Sequence, residues 1–153
     1  MAANKLTYLL DAVYNALATE TTFTVQRAVN QTRQPTPGRV LVYPFIASVS
    51  QTPVMENGRN QDGTLVVRIW CDVAVANEGA TVTGKSFAGY ADTIGKIEKA
   101  INTIATGQQE THTDGTKTAL YSASVTLVGG HVANGDTKIV ADCDVTLTYG
   151  YWQ

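Results

Sequence analysis

The sequence predicts an α+β fold: a mainly antiparallel β-sheet covered on one face by two amphipathic helices, in the order α-β-β-β-α-β-β. Three observations predict it. Apolar residues recur at helical spacing in two segments, one near the N-terminus and one in the second half of the chain. Thr64–Ala76 alternates with period two: Leu65, Val67, Ile69, Cys71, Val73 and Val75 fall on one side, and Val66, Arg68, Trp70, Asp72 and Ala74 on the other. The chain closes on two more alternating runs joined by a glycine-rich turn.

The elements follow in order. Leu6, Leu9, Leu10, Val13 and Leu17 form the stripe of the first helix, with Asn4 placed to cap it and Lys5, Asp11 and Asn15 on the opposite side. Thr21–Val29 and Arg39–Ala47 are rich in β-branched and aromatic residues and read as strands. Gln31–Gly38, with Pro35 and Pro37, reads as a loop or edge turn. Pro44 cannot donate to a ladder, so its strand is an edge or is broken there. Ser48–Gly63 reads as a long polar loop, in which Asn57–Gly58 or Asp62–Gly63 would make a hairpin turn. Thr64–Ala76 is about twice the usual strand length, so part of it is expected to project beyond its own core.

The second helix is expected over Ser86–Ala105, with Phe87, Tyr90, Ala91, Ile94, Ile97, Ile101 and Ile104 as its stripe and Gly107 in the left-handed position past its end. Gly89 and Gly95 each cost a helix interior about 1 kcal/mol against Ala, which suggests close packing on the sheet. Gln108–Lys117 reads as a polar loop turning at Asp114–Gly115. Ala119–Val128 and Lys138–Tyr149 then pair as an antiparallel hairpin across Gly129–Asp136.

At 153 residues the chain is read as a single domain, 1–153, able to bury a normal core. Charged residues make up only 16%, against a usual share of about 25%. The surface is therefore rich in Thr, Ser, Asn, Gln and Gly and repels copies of itself weakly. The eleven basic residues are scattered and the net charge is −2, which argues against tight nucleic-acid binding. No apolar run approaches the ~20 residues of a membrane-spanning helix, and Met1–Tyr14 lacks the pattern of a secretory signal. A cytoplasmic, soluble protein is expected, in which the sequon Asn30-Gln31-Thr32 is accidental.

A catalytic centre is not evident, so no enzyme, metal or cofactor is expected. His112 and His131 lie in polar, turn-rich segments and read as exposed loop histidines. Cys71 and Cys143 fall on apolar strand faces and read as buried thiols; a disulfide is the sharper alternative, and a metal site lacks ligands at the required spacing. Asp142 and Asp144 share a strand face with Cα atoms about 7 Å apart, and Asp72 has the same parity on another strand. A carboxylate site for glycoside or metal chemistry is one reading, and a solvated polar sheet face the other. The aromatic C-terminus, Tyr149-Gly150-Tyr151-Trp152, would pack on the domain or on a neighbour.

The whole pattern resembles the tail terminator (tail completion) proteins of tailed bacteriophages. The residues that carry the likeness are the Leu-x-x-Leu-Leu-x-x-Val helix starting at Leu6, the long strand Thr64–Ala76, the Ile-rich helix Phe87–Ile104, and the closing Asp144-Val145-Thr146-Leu147-Thr148-Tyr149. The resemblance implies a homo-hexameric ring that caps the tail tube and joins it to the head-tail connector or neck protein. It implies a place in the virion, in the tail or neck, after assembly in the host cytoplasm. Met55, Glu56, Arg59, Tyr151 and Trp152 would then meet partner proteins. Asp72, Asp142 and Asp144 would line a lumen through which DNA passes without specific binding, repelled by like charge. Another neck or tail-tube protein is the nearest alternative, separated by copy number per particle. A small-ligand-binding or enzymatic α+β domain is the alternative from another class, with Asp142, Asp144, Tyr121 and Trp70 around its pocket.

Overall fold

The computed structural model of the chain describes residues 2–27, 40–53, 60–74, 85–133 and 138–152. Its first helix, α1 (Lys5–Ala18), begins at Asn4, whose extended backbone lets Oδ1 accept the Thr7 N–H at 3.0 Å. That bond satisfies one of the amides a helix start leaves orphaned. Leu9, Val13 and Leu17 are fully buried, as the stripe predicts. The second helix, α2 (Lys85–Ile101), buries Ile97, Ala100 and Ile101. Lys96 on α2 reaches back to Thr22 Oγ1 at 3.2 Å and to Asp92 at 3.1 Å.

Six strands form one curled half-barrel sheet: β1 (Phe23–Val25), β2 (Val40–Pro53), β3 (Asn60–Ala74), β4 (Gln109–Thr111), β5 (Lys117–Ala133) and β6 (Lys138–Trp152). Their spatial order is β1-β2-β3-β6-β5-β4. One sheet face packs on both helices. It carries Val42, Leu65, Val67, Ile69, Cys71, Cys143, Val145, Leu147 and Tyr149, which join the helix residues in one core. α1 lies over β1 and β2, and α2 over β5 and β6. Of the odd-numbered residues that the alternation assigned to the core, these eight β3 and β6 residues are buried, and the side chains of Val73, Val75, Ile139 and Ala141 lie outside the described residues.

The expected α+β class and its order require correction. The described residues are mostly β, the order is α-β-β-β-α-β-β-β, and the sheet is mixed. β1 runs parallel to β2, with Phe23 opposite Val40 and Val25 opposite Val42. A parallel pair needs a connection of a dozen or more residues, and residues 26–39 supply that length. The extra strand β4 is three fully exposed residues, so no apolar alternation announced it.

Strand lengths also differ from expectation. β2 continues through Ser48–Pro53, and β3 begins at Asn60 rather than Thr64, so most of the expected polar loop is strand. β5 extends to Ala133, which places Gly129–Ala133, and His131 with them, in a strand rather than a turn. Pro44 sits inside β2 without breaking it. Its carbonyl accepts from the Tyr14 hydroxyl at 3.4 Å, on the side away from β3. A strand residue points its N and O the same way, so the missing N–H falls on the outer edge, where it costs no ladder bond.

Two glycines adopt positive φ where a turn requires it: Gly115 (83°) in the β4–β5 turn and Gly107 (82°). The Gly107 N–H donates to Leu120 O at 2.8 Å and leads the chain toward β5; α2 ends at Ile101, short of the expected Ala105, so Gly107 is not its terminating residue. Gly95 is not a close-packing position, since a Cβ there would meet nothing within 4 Å. Gly95→Ala is therefore expected to stabilise the fold by about 0.5–1 kcal/mol through lower unfolded-state entropy. Thermal melting should rise by about 1–4 °C.

Candidate functional site

The sheet face turned away from the helices carries the residues singled out for function. Cross-strand register places them in rows. Phe45, Arg68, Asp144 and Leu127 form one row, and Tyr43, Trp70, Asp142 and Gly129 the next. Toward the β2–β3 turn the rows become hydroxyl-bearing: Ser48, Val66, Thr146 and Ser124, then Ser50, Thr64, Thr148 and Ser122. Ser122 and Thr148 share a hydrogen bond, and Thr126 and Thr146 share another at 3.0 Å. The low charge of the composition is thus concentrated into a neutral polar surface.

The expected carboxylate pair is on this face, but its members differ. Asp144 is 8% exposed and held by Arg68 in a two-point bond, Nε to Oδ1 at 2.8 Å and Nη2 to Oδ2 at 3.1 Å. That hydrogen bond, followed by the carboxylate charge, raises the Arg68 pKa above its ordinary value. Asp144 is a structural ion-pair member, with both oxygens engaged, and is poorly placed to trade protons with a substrate. Asp142 stands opposite Trp70 and is half-buried. The Asp72 backbone has the same parity, opposite Leu41 and Val140, and its side chain lies outside the described residues. With Arg68, the charges of Asp72, Asp142 and Asp144 sum to −2, so the face is less acidic than three aspartates suggest.

Tyr121, the fourth residue of the enzymatic alternative, is not near Asp142. It lies beside the Thr148–Tyr149 rows, roughly 20 Å away along the strands. There it borders a shallow concavity of about 250 Å³ with Ser50, Thr52, Asp62 and Thr148. A second groove, of about 380 Å³, runs between α1 and the segment that follows α2, past Tyr8, Asn15 and Ile104. The first holds one carboxylate, Asp62, near the Tyr121 and Tyr149 hydroxyls, and the second one carboxylate, Asp11; among the described residues no three His, Cys, Asp or Glu stand together as metal ligands.

The cysteines are buried thiols, with no disulfide between them. Burial pushes the Cys143 thiol up to about 12, so it stays protonated and inert. His112 is not an exposed loop residue as expected: it is 2% exposed, with Nε2 2.9 Å from Thr118 Oγ1 and its ring 5.2 Å from that of Tyr8. Beside it, the Thr113 N–H donates to Ala2 O at 3.0 Å, tying the β4–β5 turn to the start of α1. Burial lowers the His112 pKa, against the weaker raising pull of Asp114 and Glu110.

The unfolded chain therefore binds this proton more readily than the folded one, and stability falls as pH drops below the unfolded value of about 6.5. Melting between pH 7.5 and pH 5 should show this loss, and His112→Gln, which can still bond Thr118, should reduce it. The lowered carboxyl pKa values of Glu20 and Asp114 act only at more acidic pH, so the two effects separate.

The proposed contact residues divide in the same way. Tyr149 is fully buried core, and its hydroxyl donates to Gln51 Oε1 at 3.2 Å. Tyr151 is half-buried on the helix side, with the Lys5 ammonium 3.8 Å above its ring. Trp152 is half-buried on the far face, opposite Asn60 and Lys117. Met55, Glu56 and Arg59 lie outside the described residues. No protein-family model and no curated protein matches this chain. No helix among the described residues is long and apolar enough to cross a membrane.

Proposed function

We propose that the chain is a ring-forming structural protein of a phage virion, a tail terminator that caps the tail tube and meets the head connector. The observation that supports this reading is the mismatch between strands and helices. α2 and β5 have 17 residues each, yet the helix is about 25 Å long and the strand about 55 Å. A sheet twice as long as its helices exceeds what one domain's core requires. The sheet is also wider than its cover: Val49 shares a row with the fully buried Leu65 and Leu147, yet is 41% exposed on the β2 side. Such surplus finds its use against other subunits.

The far face fits a lumen in this reading. It is hydroxyl-rich, carries a small negative excess, and offers phosphate no cluster of cations, so DNA would pass without sticking. Absolute quantification of this protein in purified virions tests the assignment. A terminator predicts the copy number of one ring per particle. A copy number of many stacked rings would make it a tube protein instead, and its absence from virions would exclude both.

A further inference from the structure

β2 and β5 are the long strands nearest the two sides of the sheet. β1 pairs β2 only at Val40–Val42, and β4 pairs β5 only at Lys117–Ala119. The Tyr14 hydroxyl extends the cover of β2 to Pro44, and the Gly107 N–H extends that of β5 to Leu120. Among the described residues, no strand covers the outer edge of β2 along Phe45–Thr52 or that of β5 from Ser122 onward.

Monomeric proteins guard such edges with charges. Here the arrangement is reversed. Residues 40–53 and 118–133 contain no Asp, Glu, Lys or Arg, whereas central strands β3 and β6 carry Asp62, Arg68, Asp72, Lys138, Asp142 and Asp144. The edge residues that are described are small or hydroxyl-bearing and lie open: Ala47, Ser48, Ser50 and Thr52 on β2, and Ser122, Ser124 and Thr126 on β5.

The two edges also match in height and direction. Phe45–Ser50 lie on the same rows of the sheet as Leu127–Ser122. Both edges bulge about the same row, that of Val67 and Val145, at Ala47 on one side and Thr126 on the other. Successive antiparallel pairings make β2 run opposite to β5. Copies standing side by side in one orientation would therefore bring β5 of one against β2 of the next, antiparallel and without a large shift along the strands.

We propose that the β2 edge of one subunit pairs with the β5 edge of a second copy, head to tail, continuing the sheet across the subunit boundary. It rests on the ring reading above and supplies its contact. Two different edges meeting form a heterologous interface, the kind that closes into rings. A two-fold contact of β2 with β2 would stop at a dimer.

Ser48→Cys and Ser124→Cys occupy one row and serve as the test, with the native thiols buried out of reach. Oxidising a mixture of the two variants should cross-link one chain of each kind, while either alone should stay largely uncross-linked. Val49→Lys and Ser124→Lys, at exposed positions that leave the fold intact by circular dichroism, should each reduce the assembly to the 16.3 kDa chain. Efficient cross-linking of either variant alone would overturn the head-to-tail pairing. An unchanged multimer in both lysine variants, with no mixed cross-link, would place the contact elsewhere and leave the ring reading standing. Mixed cross-links in an open filament would keep the edge pairing and remove the ring. An unmodified chain that stays monomeric at high concentration would overturn both.

Discussion

Gly63→Ala should lower stability by about 1–3 kcal/mol, read as a fall in the urea midpoint at unchanged slope. The cause is space, since Gly63 is not in the left-handed region that favours glycine. Gly63 lies in central strand β3 directly opposite Tyr149, whose ring covers it. A Cβ there would meet the Tyr149 ring and hydroxyl. Tyr149 is fully buried and anchored to Gln51, so it has nowhere to move. Gly150→Ala makes the control. Its Cβ would meet the Tyr121 hydroxyl and the edge of Trp152, but Tyr121 is 49% exposed and can swing away. Gly63→Ala combined with Tyr149→Leu should cost less than the two single changes added, because the smaller side chain leaves room.

Leu147→Ala should cost about 2–5 kcal/mol, in the upper half of that range. Leu147 is fully buried on β6, an interior strand paired with β3 on one side and β5 on the other. Across the ladders it faces Leu65 on β3 and Ala123 on β5. Ala123 has only a methyl group, too short to fill the vacated space, and strands hydrogen-bonded on both sides cannot collapse inward. A largely unrelaxed cavity is the expensive case. Equilibrium unfolding in urea measures it, and a loss below about 1 kcal/mol would mean the core repacks far more freely than a close-packed interior does.

The legible parts of the fold were those where one side chain in two, or one in three or four, enters the core. The α1 stripe, its Asn4 cap and the alternation of β3 and β6 all belong to that class, because burial imposes a period. Legibility failed where burial stops. Ser48–Pro53 continues β2 along the open side of the sheet, where residues 48–52 are exposed on both faces, so no alternation survives to mark a strand. β4 is exposed along its whole length and carried no signal. The parallel β1–β2 pair is a matter of connection geometry, which local composition does not encode. His112 was misread for the complementary reason: its neighbours Glu110, Thr113 and Asp114 are polar, yet packing on Tyr8 and Thr118 encloses it. At the candidate site, parity alone placed Asp142 and Asp144 on one face. The Arg68 bond that distinguishes them joins residues 76 positions apart and appears only once the register is known.

The same boundary between covered and uncovered strand underlies the functional account. Helices cover one face of the sheet, and the charge-free edges and the hydroxyl rows of the other face are left open. Static light scattering with size-exclusion chromatography tests this most directly. The account predicts a closed assembly of fixed mass that does not grow with concentration, and six chains of 16.3 kDa would give about 98 kDa. A single species of 16.3 kDa that persists at high concentration would contradict it.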